Sequence, residues 1–217
     1  MKSLPRYLVK MIKSHFGPQI GRGMFSRVFK RENQDFVTII SKDKAKECAA
    51  IFSLSHPDFP KSEILFPKIS FLDNCGRIDE KDKGINREII SKIENFAPDY
   101  NIYRMKYFPR VKSLKSRLKP LQWALYKELR GIMDRTGYFR DNWDRINNYR
   151  KLFLEMGENL NKSFPGGGIY GEIMNNAIDS LLNYGSSIRF EISPRNISVD
   201  SEGNLILLDV FFFQVDM

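Results

Sequence analysis

The stretch from Arg189 to Asp209, RFEISPRNISVDSEGNLILLD, constrains this chain of 217 residues more than any other. Two short apolar runs, Ile197 to Val199 and Leu205 to Leu208, flank the turn-forming residues Asp200-Ser201-Glu202-Gly203, a pattern that predicts a β-hairpin. A hairpin returns its second end to its first. Asn196 at the entrance and Asp209 at the exit, thirteen positions apart, are therefore predicted to be neighbours in space, with Glu191 five residues before Asn196. An amide oxygen and a carboxylate so placed suit a hard cation such as Mg²⁺, which takes few protein ligands and completes its shell with water and phosphate. On the hairpin alone, polar residues at the ends of an ordinary α+β hairpin read equally well, and the rest of the chain has to decide.

Length and composition admit one domain of two lobes with a real core, since 42% of the residues are hydrophobic and 13% aromatic. Cys48 and Cys75 make neither a disulfide framework nor a zinc site, and His15 and His56 cannot form a histidine cluster. A reducing cytoplasm fits this cysteine usage. No apolar run approaches the ~20 residues that cross a bilayer, and Met1 to Phe16 is punctuated by charges, unlike a secretory segment, so no membrane partner is expected. The formal charge of +9 suits an acidic partner: nucleotide, nucleic acid or acidic protein.

From the start of the chain, Leu4, Leu8, Met11 and Ile12 recur at helical spacing and predict a short amphipathic helix on the first lobe. Ile20 to Phe29, IGRGMFSRVF, sets Gly21 and Gly23 between two strand-like runs, with Phe25, Ser26 and Val28 following. Glycines let a backbone approach phosphates closely, although a plain hairpin turn needs glycine too. Asp35 to Ile40 predicts a third strand, with Lys42 just beyond it on the face of Ile40 by strand alternation. Lys42 to Leu54 predicts a helix on Ala45, Cys48, Ala49, Ile51 and Phe52, stopped by His56-Pro57 and Phe59-Pro60. Ile64 to Leu72 reads as a strand interrupted at Pro67, and the charge-dense Asn74 to Asn95 as an exposed turn and short helix of an insertion. Tyr100 to Tyr107 alternates as an extended segment containing Met105, which a core strand with an adjacent basic linker or an extended hinge explains equally, and Pro109 marks the boundary of two lobes, 1–108 and 109–217. Beyond it, helices are predicted over Leu114 to Met133 (Leu118, Leu121, Leu125, Leu129 and Ile132 on one face), Tyr138 to Asn161 and Ile173 to Leu182, with Pro120 a break or first-turn position. Pro165 to Gly168 reads as a loop, because no Lys-Ser/Thr follows it.

Glycine loop, strand, helix, extended hinge, helices and metal hairpin come in the order of protein kinases. The chain most resembles the compact early-expressed protein kinases of tailed bacteriophages, sharing G-x-G-x-F-S and a Lys-rich segment ending in Cys48-Ala49-Ala50-Ile51. The intervals from Glu191 to Asn196 and from Asn196 to Asp209 match those from a kinase catalytic Asp to the metal-binding Asn and on to the metal-binding Asp. The resemblance implies an α+β, protein-kinase-like two-lobed fold, truncated after the hairpin because only VFFFQVDM follows Asp209. It implies ATP beneath Gly21, Gly23, Phe25, Ser26 and Val28, with Phe25 capping the phosphates and Met105 lining the adenine pocket. It also implies Mg²⁺ on Asn196 and Asp209, and Glu191 accepting the proton of a substrate hydroxyl. The departures are specific. Glu191 replaces Asp, Ser26 replaces the third glycine, Val210-Phe211 replaces Phe-Gly, and Ile40 or Ile39 occupies the strand-lysine position, leaving Lys42 or a loop cation to substitute.

Two classes of function follow. One is an ATP-dependent protein kinase of Ser/Thr type, transferring the γ-phosphate to a host protein or to itself. The other is a pseudokinase scaffold that binds nucleotide or a host protein without chemistry, a reading favoured by the missing lysine and opposed by the retained metal positions. A third, a basic nucleic-acid-binding protein, is admitted by the charge and not favoured by the order of motifs.

Overall fold

A computed structural model describes residues 4–23, 25–55, 65–72, 87–136 and 141–214. The architecture is mixed α+β and divides into two compact units, one built from residues 4–55, 68–72 and 87–107, the other from 65–67 and 108–214. No helix among the described residues is long and apolar enough to cross a membrane.

The first unit is built on a five-stranded antiparallel sheet of order β1-β2-β3-β5-β4, with β1 Gln19–Arg22, β2 Ser26–Phe29, β3 Phe36–Ser41, β4 Ile69–Phe71 and β5 Asn101–Lys106. Its helices are α1 (Arg6–Phe16), α2 (Lys44–Ser55) and α3 (Arg87–Phe96). Leu4, Leu8, Ile12 and Phe16 recur every fourth residue, so the helical period puts them on one face. That face packs with Ile89, Ile90 and Ile93 of α3 and with Phe29, Ile40 and Ile102 of the sheet in one buried cluster. The amphipathic first helix is thus found as expected, with Met11 at its half-buried margin.

Two expectations are corrected here. The segment preceding β5 is not an insertion at its helical end, because the isoleucine stripe of α3 lies in the main cluster of the unit. The strand expected over Ile64 to Leu72 is confined to Ile69–Phe71, and Leu65 belongs to the other unit. The alternating segment from Tyr100 forms the core strand that its pattern admits: β5 pairs with β3 on one side and β4 on the other. The proline stop signals at Pro57 and Pro60, the charged turn over residues 74–86 and Cys75 lie outside the described residues.

The second unit carries α4 (Pro120–Thr136), α5 (Asn142–Ser163) and α6 (Ile169–Leu182), then β6 (Ile188–Phe190), β7 (Ile197–Val199), β8 (Leu205–Leu207) and β9 (Phe211–Phe213). Pro120 takes the first-turn position, where its missing N–H costs nothing, and Leu114 to Leu118 forms a separate turn before it. On α4 it is Gln122, not Leu121, that is fully covered: its side chain donates to the Tyr170 hydroxyl at 2.5 Å and accepts from the Leu205 N–H at 3.1 Å. Asp141 caps α5 by accepting from the N–H groups of Trp143 and Asp144. Helices α5 and α6 meet backbone to backbone at two glycines: a Cβ on Gly171 would lie 2.6 Å from the Phe153 carbonyl oxygen, and one on Gly157 2.8 Å from that of Gly168. Tyr149 and Phe153 of α5 cluster with Phe190 of β6 and Phe211 of β9 at ring separations of 5.4–6.2 Å.

Candidate functional site

In the second unit the expected hairpin forms, with Ile197 opposite Leu207 and Val199 opposite Leu205. Its turn closes through Gly203, whose φ of +84° favours glycine, and through Asp200, which accepts from Glu202 N–H, Asn204 N–H and the Asn204 amide. The two ends come together as the pattern predicts. The Asn196 carbonyl accepts from Leu208 N–H at 2.8 Å and from Asp209 N–H at 3.3 Å. Glu191 joins them through its own N–H, which donates to the Val210 carbonyl at 2.8 Å next to Asp209. Glu191, Asn196 and Asp209, spread over nineteen positions (191 through 209), therefore occupy one loop cluster, each half-buried.

Residues that sequence reasoning did not single out hold this loop. Arg130 of α4 donates to the Ile192 carbonyl at 2.8 Å, Met133 Sδ accepts from Ile192 N–H at 3.3 Å, and the Tyr149 hydroxyl accepts from Phe190 N–H at 3.1 Å. Burial pushes the Tyr149 phenol above its ordinary value, keeping it a neutral hydroxyl. Between Glu191 and Asn196 the Ser193 hydroxyl oxygen is buried with no hydrogen-bond partner among the described residues. The donor set for a cation is one carboxylate and one amide. Among the described residues no group of three or more His, Cys, Asp or Glu converges, so a closed metal cage is absent there, while a cation sharing its shell with water and phosphate is compatible with what is present.

In the first unit Gly21 lies within β1 opposite Val28, and Gly23 follows the end of that strand, where its N–H donates to the Ser26 carbonyl at 2.9 Å. Gly21 packs against Val28, 3.3 Å from where its Cβ would stand, whereas a Cβ on Gly23 would meet nothing within 4 Å. Neither packing nor a positive φ requires glycine at position 23. Phe25 is half-buried, and its carbonyl accepts from Lys42 N–H at 3.2 Å. Ser26 turns inward: its hydroxyl lies 2.7 Å from that of Ser41, which also accepts from Asp43 N–H at 3.0 Å. Met105 is a core residue of β5 flanked by Val37 and Ile69. Lys42 stands past the end of β3 with its ammonium 5.5 Å from the centre of the Tyr100 ring, and the face of Ile40 that it was expected to share is core. Glu47 pairs with Lys44 one turn away at 2.7 Å.

A different lysine emerges. Lys46, in the first turn of α2, is only 6% exposed, and it lies beside the buried polar run Ser26, Ser41 and Asp43 that starts at the glycine turn. Its N–H donates to the Asp43 carbonyl, and Asp43 Oδ1 accepts from Ala45 N–H at 3.0 Å. Lys42, Lys44 and Lys46 alternate in sequence, and only the turn from strand to helix buries the last of them. Cys48, on the same helix, is an inert core thiol, pushed up to about 11 by burial and then by the Glu47 charge. A groove of about 480 Å³ between α4 and α5, lined by Trp123, Lys127, Leu160 and Phe164 among others, contains none of the candidate catalytic, nucleotide-binding or metal-binding residues. Comparison with protein-family models, with curated proteins and with solved structures found no match to this chain.

Proposed function

We propose that the chain is a protein-kinase-like phosphotransferase that uses ATP and Mg²⁺, related to the compact kinases of tailed phages and acting on a host protein or on itself. The observation that carries this reading is the loop cluster of Glu191, Asn196 and Asp209, tied by backbone hydrogen bonds around the hairpin of β7 and β8. Asn196 and Asp209 are the residues that would hold the cation, which when bound neutralises charge on the transferring phosphates. Glu191 accepts the proton of the attacking hydroxyl, and the Arg130 bond to the Ile192 carbonyl fixes the loop from which it acts. The unclaimed space at Gly23 supports close approach of phosphates to the turn, and Lys46, buried in the first turn of α2, is the candidate for the role of the strand lysine.

The test combines a thermal-shift titration with transfer from labelled ATP to host lysate. ATP at millimolar concentration raises the melting temperature by mass action and Mg²⁺ enlarges the rise. Asp209→Asn abolishes transfer, and Glu191→Gln lowers it by ~10²–10⁴-fold. Lys46→Met weakens the ATP response without Mg²⁺. A transition that neither nucleotide nor metal moves overturns the reading. ATP binding with no transfer by the wild type reduces it to the pseudokinase scaffold.

A further inference from the structure

We infer that the segment from Phe108 to Lys119 is a sequence-independent docking surface for the phosphate backbone of double-stranded nucleic acid. The inference is separate from the phosphotransfer reading and rests on other residues. The segment, FPRVKSLKSRLK, contains five cations and no acid. Arg110, Lys112, Lys115, Arg117 and Lys119 are all exposed. Lys119 is partly engaged, since its ammonium donates to the Asn204 amide oxygen at 3.1 Å and its charge acts on Asp200. Arg110, Lys112, Lys115 and Arg117 have no ion pair among the described residues.

A run of like charge between two lobes would ordinarily read as a solvated linker. This one is fixed at both ends to the hairpin: Ser198 Oγ donates to the Pro109 carbonyl at 2.7 Å, and Lys119 N–H donates to the Gly203 carbonyl at 3.0 Å. Between the anchors the chain makes a turn, with Arg117 and Leu118 N–H both donating to the Leu114 carbonyl, and it buries Leu118. Four uncompensated cations are thus held on a structured surface at a cost in mutual repulsion, which a polyanion relieves.

The composition chooses the polyanion. Protein interfaces are depleted in lysine and organised around aromatic or apolar anchors, and here two of the four free cations are lysines while Val111 and Leu114 are half-buried. Single strands are held on exposed aromatic rings, and the only ring in the segment, Phe108, is half-buried. A duplex backbone needs neither anchor nor ring, only cations and hydroxyls such as those of Ser113 and Ser116, both exposed.

The experiment is an anisotropy titration of a labelled 20-base-pair DNA duplex of arbitrary sequence with the full chain at several salt concentrations. Four phosphate contacts predict a log–log salt slope of about −3 to −4, or roughly 10²-fold weaker binding between 50 and 200 mM salt. The variant Arg110→Gln/Lys112→Gln/Lys115→Gln/Arg117→Gln is expected to bind at least about tenfold more weakly at low salt with the slope reduced by about three, and Lys112→Gln/Lys115→Gln by about half of that. Circular-dichroism melts establish that each variant is folded, and the double variant carries the test if the quadruple one is not. A control neutralising the exposed Lys10, Lys13, Lys127 and Lys162 to Gln changes net charge equally and keeps the wild-type slope to within about one. The inference is overturned if the patch variants bind like the wild type or the control loses as much as the quadruple variant. It is also overturned if polyglutamate or anionic vesicles bind more tightly than the duplex through the same four residues.

Discussion

The carboxylate of Asp200 shows how one residue sets the shape of the hairpin and its response to acid. Partial burial raises its pKa, but hydrogen bonds from the Asn204 backbone and side chain, the Glu202 N–H and the charge of Lys119 outweigh that and hold it below the usual carboxylate range. A depressed folded-state pKa contributes stability that is present above the unfolded value, near ~3.9, and is lost as pH falls through the folded value. Asp200→Ala is therefore expected to lower the melting temperature at pH 7, and the gap between variant and wild type to close as the pH is taken below about 4. A gap that stays constant to pH 2 would mean the turn is held by something other than this ionised carboxylate. Ile40 makes the opposite point about charge. It is fully buried among Leu8, Ile12, Phe29 and Ile102, so restoring a strand lysine by Ile40→Lys would place an ammonium in an apolar cluster. The expected result is destabilisation by roughly 3 kcal/mol or more, read from denaturant unfolding, with no gain in phosphate transfer.

At the scale of elements, the glycine crossing of α5 and α6 is the contact with the least tolerance. Gly171→Ala puts a methyl 2.6 Å from the Phe153 carbonyl oxygen and 3.2 Å from the Gly157 Cα, and both neighbours are helix backbone that cannot turn away as a side chain would. Overpacking of this kind costs about 1–3 kcal/mol, and denaturant unfolding of the variant would show it as a lower midpoint at constant slope. This crossing left no readable mark in the sequence, because one glycine in each of two helical segments is not a pattern until the helices are laid together. The hairpin was legible for the opposite reason: strand period, turn residues and intervals are all local. The Glu191, Asn196 and Asp209 cluster followed from it, but the residues that fasten the loop did not. Arg130 reaches a carbonyl 62 positions away, and such a bond depends on where α4 lies, not on any neighbour in the chain. Lys46 was obscured by alternation with Lys42 and Lys44, and α3 by a charge density that masked its isoleucine stripe. In each case the local signal was true of the exposed face and silent about the buried one.

At the scale of the whole molecule, chain order and unit membership come apart within a few residues. Leu65 and Lys68 are three positions apart, yet Leu65 belongs with the hairpin unit and Lys68 with the five-stranded sheet. Leu65 is fully buried, its carbonyl accepts from Leu207 N–H at 2.8 Å, and the neighbouring Phe66 ring lies 6.3 Å from that of Phe211. A sequence reading that extends β4 back through Pro67 assigns this residue to the wrong core, since proline interruption within a strand and a change of unit look alike in one dimension. The two assignments have different consequences for Leu65→Ala. Loss of a fully buried leucine side chain costs about 2–5 kcal/mol, and it is charged to whichever core the side chain fills. Hydrogen exchange followed by mass spectrometry is expected to show faster exchange in β7, β8 and α4 of the variant, while peptides covering β3 and β5 keep their wild-type protection. Loss of protection in β3 and β5 with the hairpin unchanged would return Leu65 to the first unit and with it the longer strand.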